Sequence, residues 1–258
     1  MSPEFHGKVA VVTGGTSGIG RDAAILFAKS GAKVVVAGRR EPEGQDTINV
    51  IRSAGGEGLF VKCDVSKASD VANLFAKTLE KFGRLDMAFN NAGIEGNWTP
   101  IVDQSEADWD QTIDINLKGT WLCLKHEIAQ MVKQGSGGAI VNMASVAGLM
   151  GVAGAATYCA TKHGVIGLTK SAALEAARAK IRVNVVCPAV IETPMASRLF
   201  GTPEVQKWLL GLHPIGRFGN PPEIAEAVVW LCSDRSSFVT GQALALDGGM
   251  LAGPNPPG

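Results

Sequence analysis

KVAVVTGGTSGIGRDAAILFAKSG, residues 8–31, is the stretch that decides the fold. KVAVVT (8–13) is a β-branched apolar run of the length of a buried strand. IGRDAAILFAKSG (19–31) carries apolar residues at helical spacing and ends on Gly31, a residue suited to closing a helix. Between them lies Thr13-Gly14-Gly15-Thr16-Ser17-Gly18-Ile19-Gly20. Glycines there allow a tight turn and let backbone N–H groups at a helix N-terminus approach a pyrophosphate. The spacing is Gly-x3-Gly-x-Gly, so the strand before it and the helix after it carry the dinucleotide-binding reading.

Outward from this unit the same alternation repeats. Strands are expected at 33–38, 58–65, 85–93, 137–145, 181–188 and 242–249. Helices are expected at 43–54, 67–82 (with Ser66 placed to cap), 106–133, 155–178 and 222–232. Such alternation predicts an α/β fold: one doubly wound, Rossmann-type parallel sheet of about seven strands with helices on both faces. No linker or repeat divides residues 1–258, so one domain is expected. The least regular interior stretch, 189–220, leaves the carboxyl end of the sixth strand, where ligands of such sheets sit. It reads as a substrate lid. The terminal LAGPNPPG cannot continue a regular element.

Composition narrows the function. Twenty-four Lys+Arg balance 24 Asp+Glu without a run of like charge, which leaves no footprint for nucleic acid or an anionic membrane. Gln134–Thr161 carries no charge, yet its six glycines, Asn142, Ser145 and Tyr158 suit strand, loop and helix start better than a membrane span. The five scattered cysteines form no CxxC pair and the four histidines no HExxH, which argues against a disulfide framework and a metal site. With no secretory leader pattern, a soluble, cytoplasmic protein is expected.

Tyr158 and Lys162 are four apart on an expected helix and so face the same way. An ordinary tyrosine holds its proton to a pKa of ~10; a nearby ammonium lowers it, which suits exchange with an alcohol or carbonyl oxygen. Tyr158 is the only tyrosine in the chain. Ser145, at the end of the fifth strand, can present a hydroxyl to the same oxygen. Taken singly, each is also an ordinary turn, cap or surface residue.

In order along the chain, TGGTSGIG, Asp64-Val65, Asn90-Asn91-Ala92-Gly93, Asn116, Ser145 and Tyr158-x3-Lys162 resemble the short-chain dehydrogenase/reductase family, of the carbonyl reductase and alcohol dehydrogenase kind. The resemblance runs from about residue 7 to 250. It implies that Ser145 polarises the substrate carbonyl, Tyr158 exchanges the proton, Lys162 also binds the nicotinamide ribose, and Asn116 holds a water linking Lys162 to solvent. It further implies a dinucleotide contacted by Gly14, Thr16, Ser17, Gly18, Ile19 and Gly20 in the first loop. Asp64, Val65, Asn91, Ala92 and Gly93 would flank the adenosine side, with Asn90 beside them. Pro188, Ile191 and Thr193 would hold the nicotinamide side, and transfer would use the 4-pro-S face. A homotetramer is implied, with the long helices 106–133 and 155–178 as one interface and the C-terminus as another.

Two positions bear on selectivity. Family members preferring NAD usually carry Asp where Gly38 stands; here Gly38 is followed by Arg39 and Arg40, forks suited to a 2′-phosphate. NADP is therefore expected, with NAD possible, since Glu41 is near and Ser17 stands where some NADP users carry Arg. The usual Pro-Gly after the sixth strand is Pro188-Ala189, which puts the local backbone in question. Ile94, Glu95, Val146, Leu149 and Met150 on one side, and Val190, Met195, Leu199, Phe200 and Trp208 on the other, are candidate pocket lining. A medium-sized hydrophobic ketone or secondary alcohol is the expected substrate. NAD-dependent dehydrogenases of sugars, steroids or hydroxyacids, 3-oxoacyl-thioester reductases and non-catalytic dinucleotide sensors remain alternatives.

Overall fold

A computed structural model describes residues 4–253; residues 254–258 of the terminal LAGPNPPG lie outside them. Strands β1 (Val9–Thr13), β2 (Lys33–Gly38), β3 (Gly58–Lys62), β4 (Met87–Asn90), β5 (Gly138–Met143), β6 (Ile181–Pro188) and β7 (Ala243–Leu246) form one sheet. Its order is β3-β2-β1-β4-β5-β6-β7, and every pairing is parallel. The helices are α1 (Gly18–Lys29), α2 (Glu41–Ser53), α3 (Ala68–Phe82), α4 (Glu106–Ile113), α5 (Gly119–Gln134), α6 (Ala156–Ala176), α7 (Pro194–Leu199), α8 (Pro203–Gly211) and α9 (Pro221–Cys232).

Strand alternation assigns the two faces. Ala10, Val12, Val34 and Val36 pack with Phe27 of α1, Ile48 of α2 and Val228 of α9. Val11, Val35 and Ala37 point the other way, against Leu74 of α3, Leu122 of α5 and Ala172 of α6. Because both faces are covered, β1 is buried at every residue, which explains why it reads as a continuous apolar run. β1 pairs with β2 on one side and β4 on the other, so the chain reverses its winding there and opens a crevice at the strands' carboxyl ends.

Four local expectations are revised. The helix expected over 106–133 runs through a wider π-helical turn, Asp114–Lys118, which joins α4 to α5 and carries Asn116. The stretch 189–220 is more regular than its composition suggests: Thr193 and Thr202 cap α7 and α8, each of which begins with proline. Ser66 does not cap α3; its N–H and hydroxyl both donate to Asp64 Oδ1, at 3.1 and 2.7 Å. The third and fourth strands end at Lys62 and Asn90, earlier than expected. Residues 134–161 are the end of α5, β5, a loop and the start of α6, and among the described residues no helix is long and apolar enough to cross a membrane.

Under the crevice lies a buried polar network. Asn90 Nδ2 donates to Glu127 Oε2 and to Asn142 Oδ1, both at 3.0 Å, and Asn142 Nδ2 donates to Thr169 Oγ1 at 2.9 Å. Burial pushes the Glu127 carboxyl up to about 8, against the pull of the Asn90 hydrogen bond. In the unfolded chain this carboxyl ionises in the ordinary range, so rising pH favours unfolding from there until the folded group also ionises near 8. Glu127→Gln removes that term. The substitution should therefore stabilise the protein more at pH 8 than at pH 5, by a difference on the order of a few kcal/mol in chemical denaturation. A pH-independent difference would contradict this.

Candidate active site

The glycine turn follows directly from the end of β1. Gly14 and Gly18 have φ of +64° and +52°, which side-chain-bearing residues rarely adopt. The turn delivers Ser17 to the N-cap of α1 in extended conformation, but its hydroxyl caps no backbone N–H. That hydroxyl instead accepts from Arg40 Nη2 at 2.7 Å, and Thr16 Oγ1 accepts from the same nitrogen at 3.0 Å. The first turn of α1 contains no acidic residue, so an uncapped, positively polarised helix end faces the crevice. This donor set fits a dinucleotide pyrophosphate.

Arg40 also pairs with Glu43 at 3.4 Å, whereas Arg39 is exposed at the crevice rim near Asp64. Burial pushes the Asp64 carboxyl up, but the Ser66 hydrogen bonds and the charges of Arg39 and Lys67 outweigh it and hold the group below its ordinary range. A Cβ on Gly38 would stand 2.6 Å from Thr16 Cγ2, so Thr16 fills the space where a side chain at 38 would begin.

On the other rim, Thr13 Oγ1 accepts from the N–H groups of Asn91 and Ala92, both at 3.1 Å. Asn91 Nδ2 returns two bonds, to Thr13 O at 3.2 Å and Gly14 O at 3.1 Å. Gly14, Thr16, Ser17, Gly18, Ile19, Arg39, Arg40, Asp64, Val65, Asn91, Ala92, Gly93, Pro188, Ile191 and Thr193 all line one continuous cleft of about 1290 Å³. Gly20 and Asn90 do not. Gly20 packs behind the turn, where a Cβ would collide with Asn91 and Gly14, and Asn90 belongs to the buried network below. Thr193, expected beside the nicotinamide, accepts from Ala196 N as the cap of α7 and donates to Ile191 O at 3.3 Å.

Ser145, Tyr158 and Lys162 converge on the cleft floor. Ser145 follows β5, accepts from Ala147 N at 3.2 Å, and donates to Pro188 O at 3.4 Å. Lys162 is buried one helical turn beyond Tyr158; its Nζ donates to Met143 O at 3.1 Å and lies 5.3 Å from the Tyr158 ring centre. The expected lowering of the phenol by the ammonium is not found. Burial pushes Tyr158 up to about 12, outweighing the lowering influence of the Ser145 hydroxyl, and Cys159 and Glu95 add to the rise. Burial also pulls Lys162 down to about 8. The protein by itself holds a protonated phenol beside an easily deprotonated amine.

Asn116 lies beneath the cleft rather than on it. The π turn aims its side chain at the loop after β4, where Oδ1 accepts from Ile94 N at 2.8 Å and Nδ2 donates to Ile94 O at 2.9 Å. Its carbonyl accepts from Thr120 Oγ1 at 2.8 Å. Ala189 follows Pro188 without a positive φ, and its N–H donates to Leu246 O of β7, so the departure from Pro-Gly is accommodated without strain.

Ile94, Glu95, Val146, Met150, Val190, Met195, Leu199, Phe200 and Trp208, expected as pocket lining, also line the cleft; Leu149 points out to solvent. Sequence reading missed Trp98, Arg198 and His213. Trp98 stands between Tyr158 and Phe200, with ring centres 6.4 and 5.7 Å away, and Arg198 of α7 bonds Glu95 at 2.9 Å. His213, buried after α8, accepts from Val190 N at 3.4 Å and ties the end of α8 to the chain leaving β6.

A family model described as enoyl-(acyl carrier protein) reductase matches residues 14–251. A 2,5-dichloro-2,5-cyclohexadiene-1,4-diol dehydrogenase of Sphingobium indicum is 44% identical over 250 residues, covering 96% of this chain and 99% of that protein. The chain belongs to the short-chain dehydrogenase/reductase family. A cyclohexanol dehydrogenase of Acinetobacter sp. is 42% identical, covering 96% of each chain. The crystal structure of levodione reductase superimposes with a TM-score of 0.93 at 36% identity, covering 97% of this chain and 100% of that one. As a short-chain dehydrogenase/reductase the protein is an oxidoreductase of the alcohol–ketone type that uses a nicotinamide dinucleotide.

The Asn116 geometry gives a direct test. Asn116→Ala leaves the half-buried Ile94 N–H and carbonyl without these partners and should cost about 1 kcal/mol in denaturant unfolding. An alanine variant as stable as the wild type would show that the clamp carries no weight.

Proposed function

We propose that the protein is an NADP(H)-preferring reductase and dehydrogenase that interconverts an uncharged ketone and its secondary alcohol, with Tyr158 as the acid and base. The observation that carries this reading is the convergence of Ser145, Tyr158 and Lys162 on the floor of a cleft that is apolar at one end and bears Arg39 and Arg40 at the other. A bound reduced nicotinamide supplies hydride to the carbonyl carbon. The Ser145 hydroxyl donates to the carbonyl oxygen and orients it. Tyr158, protonated at neutral pH, gives its proton to that oxygen as charge develops there. The Lys162 ammonium, 5.3 Å from the Tyr158 ring centre, would stabilise the phenolate that remains and bind the nicotinamide ribose. Thr193 at the start of α7 would hold the carboxamide and fix the 4-pro-S face.

For the nucleotide, Gly14–Gly20 would bind the pyrophosphate, Asp64 and Val65 the adenine, and Asn91–Gly93 the adenosine ribose. Arg39, exposed and without a carboxylate at position 38 to compete, suits a 2′-phosphate; Arg40 is already held by Thr16 and Ser17 in the same place. The relatives' names refer to alcohols on six-membered carbocycles, and the aromatic and aliphatic lining suits such rings. Exposed Trp121 and Val132 on α5 and Leu174 on α6 support self-association, read as a homotetramer.

Separate calorimetric titrations with NADPH and NADH, followed by a panel of cyclic ketones, test this reading. Tighter NADPH binding with turnover is expected, and Arg39→Ala should weaken NADPH by about ten- to a hundredfold while leaving NADH nearly unchanged. Equal losses for both nucleotides, or a wild-type preference for NADH, would overturn the cofactor assignment. Binding without turnover of any ketone would overturn the reaction.

A further inference from the structure

The charged residues lining the cleft fall into three groups. Arg39, Arg40 and Asp64 stand at the end of the cleft read as the adenosine site, Lys162 at the reacting centre, and Glu95 and Arg198 at the substrate end. The last two belong to segments far apart in sequence: Glu95 is in the loop after β4, and Arg198 is in α7 of the lid. Arg198 Nε donates to Glu95 Oε1 at 2.9 Å. Trp98 Nε1 donates to Glu95 O at 3.0 Å, which folds the loop so that the carboxylate faces the lid and the indole faces Tyr158. Phe200, two residues beyond Arg198, closes on the same indole edge-to-face.

An unpaired guanidinium at this place would be a ready receptor for a carboxylate on a substrate, because its planar fork matches that group. Glu95 occupies it. We propose that Glu95 is a specificity-determining residue: by engaging Arg198 it withholds the lid's cation from substrates and restricts the cleft to uncharged ring ketones and secondary alcohols. The inference deepens the reductase reading above and rests on it for the reaction, though not for the binding. Trp98 links the ion pair to the reacting centre: its Nε1 donates to Glu95 O at 3.0 Å, and its ring centre stands 6.4 Å from that of Tyr158. An anionic substrate would meet both the paired carboxylate and the apolar wall of Trp98, Met150 and Phe200.

The test compares cyclohexanone with 4-oxocyclohexanecarboxylate as substrates of the NADPH-bound enzyme, in wild type, Glu95→Gln, Arg198→Gln and the double variant. Glu95→Gln should raise the ratio of kcat/KM for the carboxylate over the neutral ketone by about fivefold or more. The double variant should lose that gain, and Arg198→Gln alone should lower the ratio. Calorimetric binding of cyclohexanecarboxylate, an unreactive anion, should tighten in Glu95→Gln alone. Equal ratios in Glu95→Gln and the double variant would overturn the proposal, because Arg198 would then not be the receptor. Anion binding as tight in wild type as in Glu95→Gln would overturn it too. If the wild type reduces neither ketone, the reaction assignment falls while the calorimetric comparison still decides the role of Glu95.

Discussion

The tie between the ends of β1 and β4 is the constraint on which the rest of the structure depends. A parallel sheet that reverses its winding must leave a gap where the two halves part, and the chain that leaves each strand would be free to close it. Here the Thr13 hydroxyl accepts from two consecutive N–H groups of the opposite loop, and Asn91 sends its amide back to two consecutive carbonyls. Thr13 ends β1, and Gly14, Asn91 and Ala92 follow the strand ends, where ladder bonding stops, so side chains help to satisfy these backbone groups. The glycine turn and the loop carrying Asn91, Ala92 and Gly93 are thereby fixed on either side of the cleft. The cleft floor depends on the same arrangement: Gly93 lies beside Asn116 and Lys162, and a Cβ there would stand 3.1 Å from Asn116 Oδ1.

Burial sets the electrostatics of the floor. Desolvation acts on Tyr158 and Lys162 in the direction of neutrality for both, raising the phenol and lowering the amine. A neutral, protonated tyrosine is the form needed to give a proton to a carbonyl oxygen, and an amine near 8 is poised to take up or release one close to neutral pH. The same effect in Glu127, directly below, keeps a carboxyl protonated within the sheet–helix interface. Polar groups in this region are held by hydrogen bonds rather than by ion pairs, whereas the Glu95–Arg198 ion pair between α7 and the loop after β4 sits where solvent reaches it.

Much of the fold was legible because strand burial on both faces turns into unbroken β-branched runs such as VAVVT, and because a left-handed turn into a helix demands glycine at set spacing. Tyr158 and Lys162 were legible for a similar reason, since four residues is one helical turn. Asn116 was found by its order in the family pattern, but its contact with Ile94 depends on a π turn that leaves no mark in the hydrophobic period. The protonation of Tyr158 was misjudged because the spacing of a lysine is local, while desolvation is a sum over the whole fold. Ser66 failed as a cap because Asp64, two residues back, offered its hydroxyl a better acceptor. Trp98 and Arg198 escaped notice because their partners lie on other segments, and an isolated indole or guanidinium in an irregular stretch carries no period.

The central claim is that one phenol moves the proton. Its most direct measurement is reduction of cyclohexanone by Tyr158→Phe enzyme, followed at the reduced-nicotinamide absorbance band, with NADPH affinity determined on the same preparation. Turnover should fall by at least about a hundredfold while NADPH affinity stays within about tenfold of the wild type. Turnover retained at the wild-type rate by a variant that still binds NADPH would contradict the account.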